Sequence, residues 1–261
     1  KYRGAAHSSC NLKLRIDPEK VKIPVFFHNL KNYDAHLIMQ YIGEEDGDLS
    51  CIPNNKEKYI SFSWRKFQFK DSFQFMSRSL DELVKANPKE SFTITKKDYT
   101  SEEFNLLFRK GVYPYEYMDS WERFNETELP PIEKFYSSLT DSNISKEDYE
   151  HAQKVWKTFN CKNLGEYHDL YLKTDVNLLA DIFENFRDLC LKEYKLDPAN
   201  YYTSPGLSWD ALLKKTSIKL ELLTDYNMYL MVEKGLRGGI CMVSKRHGKA
   251  NNPLVKGYKS R

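Results

Sequence analysis

The sequence feature that most constrains the fold is a long stretch of helical periodicity between residues 164 and 194. Its apolar residues recur at three- and four-residue steps and so share one face: Leu164, Tyr167, Tyr171, Leu178, Leu179, Ile182, Phe183, Phe186 and Leu189. A stripe of this kind predicts one long helix packed against a core. Asp175 falls within the stripe, whereas Asp181 lies off it and is predicted to be on the solvated surface.

The first third of the chain favours strands. Residues 22–27 form a β-branched and aromatic run, which predicts a buried strand that ends at His28 and Asn29. Residues 34–42 carry helical spacing and stop at Gly43. Beyond them, residues 59–64 and 67–69 alternate with period two and, together with 73–76, predict two or three antiparallel strands.

Helices dominate the remainder. Ser79 and Glu82 have capping-box spacing, which starts a short helix, and Ser145 opens another that runs to about Phe159. Two more helices are predicted at 207–215 and 224–234. Strands early and helices late indicate an α/β or α+β assembly.

Composition limits the class of protein. With 261 residues, 41% hydrophobic and 14% aromatic, the chain has enough packing groups to exclude a disordered protein. The net charge of +3 does not by itself indicate nucleic-acid binding, so that binding has to come from local placement of charge. Residues 245–261 provide such a segment, because they include six basic residues and no acidic one.

Cysteine usage and hydropathy bear on location. The five cysteines are odd in number and include no C-x-x-C pair, so they are expected to be thiols in a reducing compartment. No apolar run approaches the length of a membrane span, and the N-terminus is polar. We therefore expect an intracellular protein that is not secreted and has no membrane partner. The start at Lys1 without Met indicates a fragment.

Two carboxylates are candidates for chemistry. Asp175 lies on an inward face, where an unpaired carboxylate costs several kcal/mol unless it is paired or holds a metal. Asp34 follows a predicted buried strand at a helix start, where α/β folds collect ligands. Each has a simpler interpretation. Asp175 could border solvent or pair with a lysine, which periodicity alone favours, and Asp34 could be an N-cap.

Four motifs in order resemble those of family B DNA polymerases of the protein-primed branch. Residues 28–34 (HNLKNYD) resemble the second exonuclease motif, and residues 171–175 (YLKTD) the third. Residues 79–83 (SLDEL) resemble the motif that grips a single-stranded primer end. Residues 236–239 (LRGG) resemble the Tyr-x-Gly-Gly motif between the exonuclease and polymerase modules, with Leu in place of Tyr.

A more particular likeness is to the polymerases of Polinton/Maverick mobile elements. Residues 111–117 (GVYPYEY) and 201–210 (YYTSPGLSWD) carry it, and it covers nearly the whole chain. Residues 1–10 resemble the tail of a zinc-binding insert, of which only His7 and Cys10 are present. Two ligands cannot close a four-coordinate zinc site, so no structural zinc is expected.

The resemblance implies a ribonuclease H-like 3′–5′ exonuclease domain, incomplete here, in a DNA-directed DNA polymerase, a nucleotidyltransferase of DNA replication. It implies Mg²⁺ or Mn²⁺ as cofactor, with Asp34 and Asp175 as catalytic metal ligands and Tyr171 orienting the attacking water. It further implies single-stranded DNA and a terminal priming protein as partners, and a nuclear or viral replication site. The residues implied to bind nucleic acid are Asn29, Tyr33, Ser79, Leu80, Arg237, Gly238, Gly239, Lys245 and Arg246.

The pattern breaks at the first exonuclease motif, Asp-x-Glu. Asp17 and Glu19 fit its letters, but Pro18 between them disfavours a central strand, and the next strand starts too soon. The polymerase motifs are also missing, so the isolated chain is expected to be inactive. The alternative is a non-catalytic, single-strand-binding remnant of a mobile element. A zinc nuclease built on His7 and Cys10 would need further ligands and is the weakest reading.

The motifs predict three regions. Residues 1–20 would be the remnant of the zinc-binding insert, and residues 21–195 the exonuclease-like domain, with a helical insertion at 88–160. Residues 196–261 would be a helical linker with a basic segment leading towards a polymerase module.

Overall fold

The computed structural model describes residues 21–32, 34–45, 47–55, 58–138, 141–236, 238 and 256–259. These residues belong to two compact units, one that ends at Ser217 and one that begins at Ile218. The segment predicted to be a zinc-insert remnant, residues 1–20, lies outside the described residues.

A mixed four-stranded sheet opens the first unit. Its strands are β1 (Ile23–Phe27), β2 (Leu49–Pro53), β3 (Tyr59–Trp64) and β4 (Phe67–Asp71), in the order β1-β4-β3-β2. β1 pairs with β4 in parallel, with Phe27 opposite Asp71, and the other two pairs are antiparallel. The sheet and its helices confirm the predicted α/β class with a mixed sheet, and they are consistent with a ribonuclease H-like fold.

Two details of the sheet differ from the sequence-based expectation. β2 was not predicted as a strand. Of the two or three strands predicted, the optional third at 73–76 does not form, because a 3₁₀ turn spans Ser72–Gln74. Asp71 caps that turn by accepting a hydrogen bond from the Phe73 backbone N–H at 3.0 Å, which turns the chain out of the sheet.

Eight α-helices lie within the described residues: α1 (Asp34–Ile42), α2 (Leu80–Ala86), α3 (Thr93–Lys96), α4 (Ser101–Leu107), α5 (Lys146–Thr158), α6 (Leu164–Tyr194), α7 (Ser204–Thr216) and α8 (Tyr226–Gly235). α6 has 31 residues and the bounds that its periodicity predicts. α7 and α8 confirm the two later helices within a few residues. None of the described helices has the length and apolar character needed to cross a membrane.

The apolar face of α6 packs against several parts of the first unit. Leu178 and Ile182 join a core cluster with residues of α2 and α4, and Tyr167 joins a second cluster with residues of α5. Phe183 meets Phe26 of β1 with ring centroids 4.0 Å apart, which brings the helix against the sheet. The sheet and α1 enclose a third cluster around Phe62.

Asp181 lies in this interior rather than on the predicted solvated surface, so that prediction is wrong. Its side chain is 1% exposed. One carboxylate oxygen accepts the Ile94 N–H at 2.8 Å, and the other accepts the Thr95 N–H at 2.8 Å and the Thr95 hydroxyl at 2.7 Å. Three donors at the start of α3 offset the cost of burying the carboxylate.

The second unit contains α8. Asp225 caps it by accepting the Met228 N–H at 2.9 Å, and none of its residues is buried. The described cysteines of the chain, Cys51, Cys161 and Cys190, are all free thiols, which confirms the expectation for these three.

We expect Asp181→Ala to lower the free energy of unfolding by about 3 kcal/mol, because it leaves two backbone donors of α3 without their buried acceptor. Asp188→Ala, at an exposed position of the same helix, is the matched control and should change it by less than about 0.5 kcal/mol. Urea unfolding measures both. Equal, small losses would contradict the account.

Candidate functional site

The loop after β1 contains the first set of predicted site residues. Asn29 has φ 72°, a left-handed conformation that Asn tolerates better than most residues. Its backbone N–H donates to Asp71 Oδ1 at 2.8 Å. A 3₁₀ turn follows at Leu30–Asn32, and α1 begins at Asp34. The strand end and the turn thus place Asn29 and Asp34 at one corner of the sheet.

Asp34 is half-buried at the first position of α1. Burial raises its pKa above the usual range, a backbone hydrogen bond lowers it, and the negative charge of Asp71 raises it further. A helix N-terminus favours a carboxylate in its first turn, which is where Asp34 lies.

Asp175 points inward from α6, and its Oδ1 is buried without a hydrogen-bond partner among the described residues. Burial raises the pKa of this carboxyl group, while the Tyr171 side chain, the charge of Lys110 and the Gly111 backbone lower it less. An incompletely satisfied carboxylate is energetically unfavourable in a packed interior. Such a group is a candidate for a functional role.

Tyr171 lies one turn before Asp175 on the same helix. Its ring stacks on that of Tyr113, with centroids 4.8 Å apart, and its hydroxyl contacts the hydroxyl of Tyr115. Burial, and next the charge of Asp175, raise the pKa of Tyr171 well above its usual value. The phenol therefore stays protonated at neutral pH and can donate a hydrogen bond.

Gly111 is required where it stands because the ring of Tyr171 lies directly against it. A Cβ at this position would lie 2.5 Å from Tyr171 Cδ2, closer than packed atoms approach. The chain can therefore run past Tyr171 and Asp175 only with glycine here.

An open groove of about 690 Å³ runs from Gly111 to the start of α2. Ser79 lines one side, and the segment from Arg109 to Tyr113, with Tyr115, lines another. Lys110 and Tyr115 are exposed. The groove also contains Asp81 and Asp148, which form ion pairs with Lys85 and Arg109. Lys110 and the ring of Tyr115 can meet the phosphates and stack on the bases of a single strand.

Ser79 and Leu80 occupy different environments at the start of α2. Ser79 is exposed and forms a reciprocal capping box with Glu82, accepting one backbone hydrogen bond and donating another, which confirms the predicted helix start. Leu80 is half-buried and packs on the core cluster that contains Leu178. Of the two, only Ser79 is among the residues that line the groove.

The site residues thus form two groups. Asn29 and Asp34 surround Asp71, whereas Tyr171 and Asp175 lie against Gly111, whose other neighbours Lys110 and Val112 line the groove with Ser79. The charge that acts on Asp34 is that of Asp71, and the charge that acts on Asp175 is that of Lys110. A pair of ions shared by Asp34 and Asp175 stays a prediction.

The described residues fit part of a divalent metal site. The partnerless oxygen of Asp175 is the kind of ligand that Mg²⁺ and Mn²⁺ prefer. Within the described ranges, however, no group of three or more His, Cys, Asp or Glu side chains could hold a metal.

Six predicted site residues remain: five lie in the C-terminal part of the chain, and Tyr33 lies just before α1. Gly238 is exposed in the second unit. Outside the described residues lie Tyr33, Arg237, Gly239, Lys245 and Arg246. Their roles remain predictions.

Sequence reasoning missed Lys110 as a neighbour of Asp175, and Gly111 and Tyr115 as neighbours of Tyr171. The sequence signal that could have identified these neighbours is the stretch 111–117, which was interpreted only as evidence of family resemblance. A basic pair, Arg109 and Lys110, directly precedes it.

Comparisons with known proteins agree with the motifs. A family model described as "DNA polymerase type B, organellar and viral" matches residues 16–256. A "Probable DNA polymerase" of Podospora anserina is 22% identical over 241 residues, which are 89% of this chain and 18% of that relative. No solved structure matches. The chain belongs to the organellar and viral type B DNA polymerase family, and it spans less than a fifth of the length of this relative.

Gly111→Ala should lower the free energy of unfolding by about 1–3 kcal/mol, because the new methyl group collides with the packed ring of Tyr171. The matched control is Gly206→Ala in α7, where the added Cβ would meet only Tyr201 Cδ1 at an ordinary 3.7 Å. Urea unfolding of the two variants should differ accordingly. Equal stability of both variants and the parent chain would contradict the close approach.

Asp175→Asn tests the unfavourable burial of charge. Folding favours the protonated form of Asp175, so its contribution to stability is present at acid pH and is lost as pH rises through the folded pKa. Relative to the parent chain, Asp175→Asn should therefore be more stable at pH 7 than at pH 3.

The opposite trend is expected for Asp197→Asn, because Arg187 lowers the pKa of Asp197. Urea unfolding in EDTA across this pH range measures both variants. If the stability of both variants relative to the parent chain changed with pH in the same direction, the raised pKa of Asp175 and the lowered pKa of Asp197 would be contradicted.

Proposed function

We propose that the first unit is the 3′–5′ exonuclease region of a protein-primed type B DNA polymerase, and that it holds a single-stranded 3′ end. The observation that carries this is the inward Asp175, with one oxygen unpartnered, beside Tyr171 and next to Gly111, which lines a groove together with Ser79 and Lys110. Family membership supports the same proposal.

Each part of the site has a role in this proposal. The strand lies in the groove, where Ser79 contacts its backbone and Lys110 balances phosphate charge. Tyr171, protonated and held by Tyr113 and Tyr115, orients the attacking water by hydrogen bonding. Asn29 and Tyr33 position the terminal nucleotide, and Asp34 and Asp175 are the metal ligands. Divalent ions, when bound, would activate the water and stabilise the departing 3′ oxygen.

Other roles concern the whole polymerase and rest on the resemblance. Arg237, Gly238, Gly239, Lys245 and Arg246 would hold phosphates on the way to a polymerase module that adds nucleotides. A terminal priming protein, a Polinton-like origin and an intracellular replication site, nuclear or viral, are part of the same proposal.

A second candidate is a non-catalytic module that binds single strands. The observation in its favour is that, across the described part of the chain, no three potential ligands come together. Both candidates use the same groove, and they differ in whether Asp175 takes part in cleavage.

The groove predicts how single-stranded DNA binds. Lys110→Ala should weaken binding of an oligo(dT) and reduce the slope of log affinity against log salt by about 0.7, the share of one phosphate contact. The matched control is Lys157→Ala, because Lys157 lines a separate groove beside Trp156. Fluorescence anisotropy over a salt series measures both. Equal effects at Lys110 and Lys157 would argue against the groove.

The isolated chain should show no nuclease activity, because two carboxylates bind a pair of ions poorly. The test incubates the purified chain with Mn²⁺ and a 5′-labelled single-stranded oligonucleotide and resolves the products on a gel. Processive 3′ trimming that disappears in Asp175→Ala would refute the expected inactivity and exclude the non-catalytic candidate.

A further inference from the structure

Asp71, at the end of β4, is a buried carboxylate that no motif singled out. Its side chain is fully buried, and its partner in the β1–β4 register is Phe27 at the end of β1. Two segments therefore leave the sheet beside this one side chain. The first leads through Asn29 to Asp34, and the second leads through Ser72 to Ser79.

The carboxylate of Asp71 accepts hydrogen bonds from both segments. Oδ1 takes the Asn29 N–H at 2.8 Å and the Phe73 N–H at 3.0 Å. Oδ2 takes longer bonds, from the Lys31 N–H at 3.5 Å and the Gln74 side-chain amide at 3.4 Å. These donors account for both oxygens, so Asp71 is occupied with holding backbone and is not a candidate metal ligand.

The next residue continues the connection. The Ser72 hydroxyl lies 2.8 Å from the Phe27 carbonyl oxygen and 2.9 Å from His28 Nδ1, and it can donate its one hydrogen to either. His28 Nε2 lies 2.7 Å from the carbonyl of Arg78, the residue before Ser79, and donates to it, because a carbonyl can only accept. One network therefore runs from the Asn29 loop to the groove.

From this network we infer that Asp71 is a positioning residue: it sets the conformation of the Asn29–Asp34 loop and, through Ser72 and His28, aligns that loop with Ser79. The inference rests on the proposed function, which assigns roles in DNA binding to the loop and to Ser79. The loop needs a residue that holds it because Asn29 has a left-handed φ, and a residue in that conformation persists only where its surroundings hold it.

The test compares Asp71→Asn with Asp181→Asn. Asp181 is the matched control because it too is a buried carboxylate that accepts backbone N–H groups, in its case two at the start of α3 instead of those of the loop. Amide hydrogen exchange of the full ¹⁵N-labelled chain reports each site separately. We expect the Asn29 amide to exchange at least about tenfold faster in Asp71→Asn and to keep its rate in Asp181→Asn.

Binding of a 3′-ended oligo(dT), followed by anisotropy, supplies the functional readout. The dissociation constant should rise about threefold to tenfold in Asp71→Asn and less than about twofold in Asp181→Asn. An unchanged Asn29 exchange rate in Asp71→Asn would overturn the inference. A rise in the dissociation constant of the same size in both variants would overturn it as well.

The experiment also gives an answer if the parent chain does not bind DNA or if Asp71→Asn does not fold. If the parent chain does not bind the oligonucleotide, the proposed function fails, and the exchange rates still decide whether Asp71 holds the loop. If Asp71→Asn does not fold, the parent chain decides: slow exchange of the Asn29 amide, like that of strand amides, supports the inference, and fast exchange refutes it.

Discussion

The burial of two carboxylates on one helix is the constraint on which the rest of the structure depends. Asp175 and Asp181 are six residues apart on α6, about 9 Å along its axis. Asp181 has three donors from the start of α3 and is satisfied. Asp175 keeps one oxygen without a partner. The same helix thus uses one buried acid to fix a neighbouring helix and leaves the other chemically available.

The surroundings of Asp175 show how that availability is maintained. Gly111 allows the backbone to pass against the ring of Tyr171, and Tyr113 and Tyr115 hold that ring from other directions. Lys110 supplies positive charge beside the carboxylate without neutralising it through a close ion pair. At the other group of site residues, Asp71 holds the loop that carries Asn29 and Asp34. Asp71 and Gly111, which support the two groups of side chains, are not themselves proposed to touch DNA.

Sequence periodicity correctly predicted the elements whose packing partners are nearby in the chain or uniformly apolar. It predicted the bounds of α6, the strands β3 and β4, and the capping box at Ser79. It failed for Asp181, because the donors that satisfy it lie 86 and 87 residues away. It failed for residues 73–76, because a local cap by Asp71 outweighs strand propensity. The groove wall at 109–115 has no periodic signal, so only its packing against Tyr171 reveals it.

Photo-crosslinking most directly tests the central claim, that single-stranded DNA lies in the groove lined by Ser79 and residues 109–113, next to Tyr171 and Asp175. An oligonucleotide with 4-thiothymidine at its 3′ end would be irradiated with the chain, and the crosslinked peptides identified by mass spectrometry. The account predicts crosslinks within residues 109–115 and near Ser79. Crosslinks confined to α8, or to the separate groove beside Trp156, would contradict it.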